Sequence, residues 1–389
     1  MVIGKNTNEA NLLQLAEDFK NGRRMVLFLG AGINLGDRTS IEGCKEIDLS
    51  WNGLLNGLFS EAFSLLSIGK GLSSEDRYIM QNLICDPNKK EALKGFSEEN
   101  WECLRSYASF EFPPLVQASI IKSVLGNNYI DSIRKHLYQQ CDKYIMRKIF
   151  LKYYGLNSNL SGTGKSRPFY SLYQLARLII LHHPNIAVVT YNFDKFLTIA
   201  IDILRENKEE FFTEKEMERV RQDRTVEDVF GSYSHPSQEK DVLPIYHIHG
   251  LIPPYNEYLP VKDNEIVLSM EEFYENTQNV YSWQTATQLH FLCHFTCLFL
   301  GSSLTDINTQ RMIHYASKIG NDDKIYYLHA VSKSMREKLS EKEYMSYLGL
   351  MNLKDTFYTQ YGLTPIFDRN GYNHLYDTIL NFVPSRERQ

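Results

Sequence analysis

Apolar residues cluster in short runs along this chain, and the runs are separated by segments with a helical repeat. MVLFLG (25–30), IAVVTYN (186–192), IYHIHG (245–250), EIVLS (265–269), FTCLFLG (295–301) and KIYYLHAV (324–331) have the length and branching expected of buried strands. KFLTIAIDIL (195–204), MEEFYENT (270–277) and INTQRMIHYASKIG (307–320) instead space their apolar residues as one face of a helix. Strands alternating with helices predict an α/β fold, with a mostly parallel, Rossmann-like sheet flanked by helices. From about 57 to 183 the strand signal lapses. Amphipathic stretches such as LVQASIIKSVLG (115–126) and SLYQLARLIILHH (171–183) predict a large helical insertion there. The organisation expected is a core of 1–56 and 184–389 interrupted by that insertion, all in one folded unit. A second, charged insertion spans 208–241.

With 389 residues, 43% of them hydrophobic and 13% aromatic, the chain can bury a large core. A formal net charge of −5 argues against a general nucleic-acid binder. Polar residues occupy the N-terminal positions where a secretory signal needs an apolar core, and FLCHFTCLFLG is too short to span a bilayer. Six cysteines without a disulfide spacing fit a reduced compartment, so a cytoplasmic protein is expected.

Three strand ends carry chemistry. The first apolar run stops at Gly30-Ala31-Gly32, which is either a tight turn or a backbone shaped to approach a phosphate. The usual dinucleotide pattern is incomplete, because Leu35 holds the third glycine position and Gly36 follows one residue late. IAVVT runs into Thr190-x-Asn192-x-Asp194, three polar residues on one face of an extended strand; Asp194 equally suits a helix cap. IYHIHG sets His247 and His249 on one face before Gly250, where a histidine can serve as general base or as a hydrogen-bonded core residue. GTGKS (162–166) lacks the leading glycine and the preceding strand of a phosphate-binding loop and reads as solvated loop.

The order GAG, then T-x-N-x-D, then HG resembles the sirtuin family, whose members consume NAD. That resemblance implies NAD as substrate, with Gly30, Ala31, Gly32 and Thr190 among its binding residues. It implies Asn192 and Asp194 at the ribose pocket and His249 as catalytic base. Gly301-Ser302-Ser303-Leu304-x-Asp306 resembles the family's G-x-S-L loop, which implies contacts from Gly301, Ser302, Ser303 and Asp306 to the adenosine half; Asp306 also suits a helix cap. Sirtuin deacylases hold a structural zinc with two C-x-x-C pairs, whereas Cys293 and Cys297 stand here without a second pair. No zinc ribbon and no metal are therefore expected. Arg38 is the nearest match to the family's arginine segment. The chain is similar to sirtuin-like proteins of bacterial anti-phage defence, which implies an NAD glycohydrolase that depletes NAD. It further implies a homo-oligomer and a HerA-like hexameric ATPase partner. A non-catalytic NAD-binding or ADP-ribose-binding subunit and an NAD-dependent deacylase are the alternatives.

Overall fold

Five of the six apolar runs form strands of one seven-stranded, all-parallel sheet in this computed structural model. The structure describes residues 5–34, 51–67, 112–139, 141–158, 168–182, 186–218, 220, 225–231, 242–255, 266–279, 282–319, 324–331 and 333–381. Gly36, Arg38 and the 162–166 loop lie outside these residues. The strands are β1 (Met25–Leu29), β2 (Ile186–Thr190), β3 (Thr225–Val229), β4 (Val242–His247), β5 (Thr296–Leu300), β6 (Ile325–Ala330) and β7 (Leu363–Asp368). Their spatial order is β3-β4-β2-β1-β5-β6-β7.

β1 and β5 are buried at every position, as befits strands covered on both faces. Phe28 stacks on Phe299 across the β1–β5 boundary at 4.7 Å. Each such ring contributes about 2–3 kcal/mol by leaving water.

Two strands escape the hydrophobic pattern, both at the sheet's edges. β3 is TVEDV, within the segment expected to be a charged insertion, and it pairs with β4 alone. β7 carries Pro365, which an edge strand tolerates because one side of it needs no ladder donor. The open side of β7 meets the helix Lys5–Lys20. Asn8 Nδ2 donates to Phe367 O at 3.0 Å, and Phe367 N–H donates to Asn8 Oδ1 at 2.8 Å. Asn11 Nδ2 donates to Pro365 O at 3.0 Å. Side-chain amides thus complete the edge that a further strand would otherwise fill.

EIVLS corrects the remaining expectation. Ile266–Leu268 are irregular, and a helix begins at Met270. Glu272 Oε2 accepts from Leu268 N–H and Ser269 N–H, at 2.8 and 2.7 Å. This is a helix start, with the backbone donors of 268 and 269 committed to it rather than to a strand partner.

The chain divides into two compact units: Met1–Glu46, Lys143–Leu251 and Asn279–Gln389 as one, and Ile47–Asp142 and Ile252–Gln278 as the other. All seven strands belong to the first. So do the helices Lys143–Tyr154 and Tyr170–His182, which the sequence pattern assigns to the insertion. Tyr170–His182 buries every residue from Tyr170 to Ile180 except Arg177, and a helix buried nearly all round belongs inside a layered fold. The second unit is helical, built on Trp51–Ser67, Pro114–Leu125, Tyr129–Tyr138 and Met270–Gln278.

Candidate active site at the strand ends

In parallel α/β sheets, ligands bind beyond the carboxyl ends of the strands, where the strand order reverses. Here the chain runs outward from β1 through β2 to β3 and β4 on one side, and from β5 to β7 on the other. Register brings the critical ends to one level: Leu29 pairs with both Thr190 and Leu300, and Thr190 pairs with His247. The loops beginning at Gly30, Tyr191, Ile248 and Gly301 therefore leave the sheet side by side.

The two glycines after β1 have a clear steric cause. A Cβ on Gly30 would lie 2.7 Å from Gly301 O, and one on Gly32 would lie 2.6 Å from the same atom. Neither glycine has a positive φ, so close approach, and not turn geometry, excludes side chains. Gly30 donates its N–H to Leu300 O at 3.0 Å, and Gly32 donates to Gly301 O at 2.8 Å. Those two amides serve the loop-to-loop seam. Ala31 sits half-buried in the short 3-10 turn Ala31–Asn34.

β2 ends at Thr190, so Asn192 and Asp194 leave the strand that was expected to carry them on one face. Thr190 Oγ1 accepts the Asn192 N–H at 3.1 Å, and Asn192 Nδ2 donates to Gly30 O at a long 3.4 Å. Asp194 Oδ1 accepts from Phe196 N–H at 3.0 Å, tying it to the start of the helix Phe196–Glu206. Its other oxygen accepts from Asn34 Nδ2 at 2.8 Å. Burial raises the Asp194 pKa, partly opposed by these bonds and by the charge of His247. Asn34 is itself buried, and its Oδ1 has no hydrogen-bond partner. A buried acceptor left open this way fits a ligand hydroxyl or amide.

The two histidines after β4's apolar core diverge. β4 stops at His247, and a turn closed by Gly250 N–H to His247 O (3.1 Å), with Gly250 at φ +83°, carries His249 off the strand. The His249 ring lies 5.3 Å from the Tyr191 ring. Burial lowers its pKa, against the opposing charge of Asp306 and a bond to the Tyr191 backbone. A base kept neutral in this way is available to take a proton. His247 turns into the protein: Nε2 lies 3.0 Å from Asp228 Oδ1 and Nδ1 lies 3.1 Å from Asn192 O.

Beyond β5, Ser302 Oγ accepts from Leu304 N–H at 3.2 Å, and Ser303 Oγ pairs with Thr305 Oγ1 at 2.7 Å. Leu304 holds φ +54°, a costly conformation for a branched residue, with its carbonyl gripped by Gln310 Nε2 at 2.6 Å. Asp306 caps the helix Ile307–Ile319 through Asn308 N–H (3.0 Å) and Thr309 Oγ1 (2.7 Å). Its cap role is thus visible, beside its electrostatic reach to His249.

The sequence pattern does not single out Asn34 or Asp228. Asn34 had a faint signal, a polar residue four places after Gly30 in an otherwise apolar turn. Asp228 was hidden among neighbouring charges. Among the described residues, no group of three or more His, Cys, Asp or Glu side chains could hold a metal ion, and no helix is long and apolar enough to cross a membrane.

Residues 186–348 match the family model described as SIR2-like domain. No curated protein matches the chain. The matched segment runs from β2 through β6 and contains Asn192, Asp194, His249 and the Gly301–Asp306 loop. It omits β1 and its glycine turn, which the sheet nevertheless sets at its centre. Residues 186–348 are thus similar to a SIR2-like domain.

Proposed function

We propose that this protein is an NAD glycohydrolase, splitting the nicotinamide–ribose bond to give nicotinamide and ADP-ribose. The observation that carries the reading is the common level of Leu29, Thr190, His247 and Leu300, the last three inside the SIR2-like segment, which leaves Asn192 and His249 on adjacent loops. The bond breaks through an oxocarbenium-like state, so the site has to orient water and disperse positive charge on the ribose. Asn192 orients the ribose or the water. His249 takes the proton from the attacking water as its oxygen bonds to the ribose carbon, and nicotinamide leaves with the bonding pair. Asp194 and the open Oδ1 of Asn34 steady the ribose end. Thr190, Ala31 and the Gly30–Gly32 seam shape the pocket floor, and Gly301, Ser302, Ser303 and Asp306 serve the adenosine half.

The biological reading follows the resemblance to anti-phage proteins: NAD depletion as a defence effector, in a homo-oligomer paired with a HerA-like ATPase. The test is nicotinamide release from NAD by purified protein, alone and with such an ATPase. Asn192→Ala and His249→Ala should each lose activity at least a hundredfold while keeping the fold. NAD binding without turnover, indifferent to His249, would instead favour a regulatory NAD-binding subunit. Release dependent on an acylated lysine would favour a deacylase.

A further inference from the structure

The pair His247–Asp228 does no work in the reaction just described, yet it sits in a buried polar network with Thr198, Lys195 and the Asn192 carbonyl. Asp228 lies on edge strand β3 and His247 on β4. Asp228 pairs in register with Ile245, so the two side chains are diagonal neighbours on one face. Asp228 Oδ1 also accepts from Thr198 Oγ1 at 2.6 Å, and Oδ2 lies 3.4 Å from Lys195 Nζ. Burial alone would raise the Asp228 pKa, but the His247 bond and charge, Thr198 and Lys195 outweigh it and hold the carboxyl below its ordinary range. Both carboxylate oxygens are therefore acceptors.

The other nitrogen of His247 faces an acceptor too, the backbone carbonyl of Asn192. Both ring bonds are made only when each nitrogen carries a hydrogen. Buried ion pairs contribute little net stability, and well-packed apolar residues usually do as well. Stability alone thus gives weak cause for this cluster. Its geometry offers a better one. Asn192 is otherwise held through its N–H by Thr190 and through its side chain by a long bond to Gly30. Among the described residues, the contact of His247 Nδ1 with the Asn192 carbonyl at 3.1 Å is a further restraint on this turn.

We propose that His247, oriented by Asp228, is a positioning residue that fixes the Asn192 peptide and thereby aims the Asn192 side chain at the substrate. This rests on the reading of Asn192 as the residue that works on NAD. A displacement of about 1 Å at a reacting group can cost on the order of a hundredfold in rate. The effect should appear in kcat, because the NAD pocket itself stays intact.

Two amide substitutions separate the two ends of the ring. In His247→Asn the amide nitrogen stands near the place of Nδ1 and can still donate to Asn192 O. In His247→Gln it stands near the place of Nε2 and can still donate to Asp228. The readouts are kcat and KM for nicotinamide release, and hydrogen exchange of the peptide covering residues 190–196. The expected result is kcat within about threefold of wild type for His247→Asn. For His247→Gln, kcat should fall tenfold to a hundredfold, KM should move less than about twofold, and exchange in 190–196 should rise. Equal kcat in both variants, or unchanged exchange in His247→Gln, overturns the proposal. If wild type releases no nicotinamide, the hydrolase reading fails, and exchange alone decides the positioning: a rise confined to His247→Gln upholds it and equal exchange overturns it.

Discussion

Replacing Gly32 with alanine tests the seam between the loops after β1 and β5. The new Cβ would stand 2.6 Å from Gly301 O, 2.9 Å from Gly301 Cα and 3.0 Å from Gly301 C. All three are backbone atoms, so no side chain can swing aside. Ordinary carbon contacts begin near 3.5 Å, and relief requires the loops to part by roughly 1 Å. That movement stretches the 2.8 Å bond from Gly32 N–H to Gly301 O beyond a useful length. Losing a buried hydrogen bond costs about 1–3 kcal/mol, and overpacking adds about 1–3 kcal/mol. The expected destabilisation is roughly 2–6 kcal/mol, or about 4–12 °C in Tm at about 2 °C per kcal/mol for a chain of this size. Gly349→Ala is the internal control. Gly349 lies exposed within the helix Glu341–Gln360, with nothing within 4 Å of the added carbon, and alanine there should gain about 0.5–1 kcal/mol. Thermal and urea unfolding followed by circular dichroism read both. A Gly32→Ala protein as stable as wild type would refute the steric argument.

Four further outcomes are expected. The lowered pKa of His249 sets the acid limb of kcat/KM below pH 6.5, and that limb should vanish from whatever residual rate His249→Ala retains. The same shift makes the unfolded chain bind this proton first, so stability should rise with pH up to about 6.5 and the His249 contribution should be flat above it. Asn8→Ala removes two backbone bonds at the β7 edge and should cost about 1–3 kcal/mol in urea unfolding, with kcat unchanged. Treatment with a strong chelator should leave both Tm and nicotinamide release unaltered, since the lone Cys293–Cys297 pair makes no zinc set.

How much could be read beforehand depended on what each element had to bury. β1, β2, β5 and β6 lie inside the sheet, and their unbroken apolar runs announce them. β3 and β7 lie at the edges, where charge and proline are tolerated, so TVEDV and LTPIF carry no comparable signal. EIVLS misled for the opposite reason: Ile266 and Leu268 are fully buried without being a strand, because burial and extended pairing are separate demands. At the candidate site, Asn192, Asp194 and His249 stand out in the sequence because polar residues closing apolar strands are conspicuous. Asp228 does not, since its meaning depends on a neighbour nineteen residues away that only strand pairing brings to 3.0 Å.

The opening ambiguity over Gly30-Ala31-Gly32 resolves into a division of labour. The amides of Gly30 and Gly32 bond to the last residue of β5 and the first residue after it, so their first duty is to hold the two sides of the sheet's switch point together. A phosphate bound here would have to find other donors. On the proposed reading the seam also bears on ligand binding, because it fixes the Gly30 carbonyl that receives the Asn192 side chain and starts the turn that presents Asn34 to Asp194. Opening it by an ångström would move both groups at once. Gly32→Ala should therefore reduce nicotinamide release at temperatures where the variant is still fully folded, and by more than any loss in NAD affinity. An equal fall in affinity and turnover would instead mark the turn as a direct binding element for the dinucleotide.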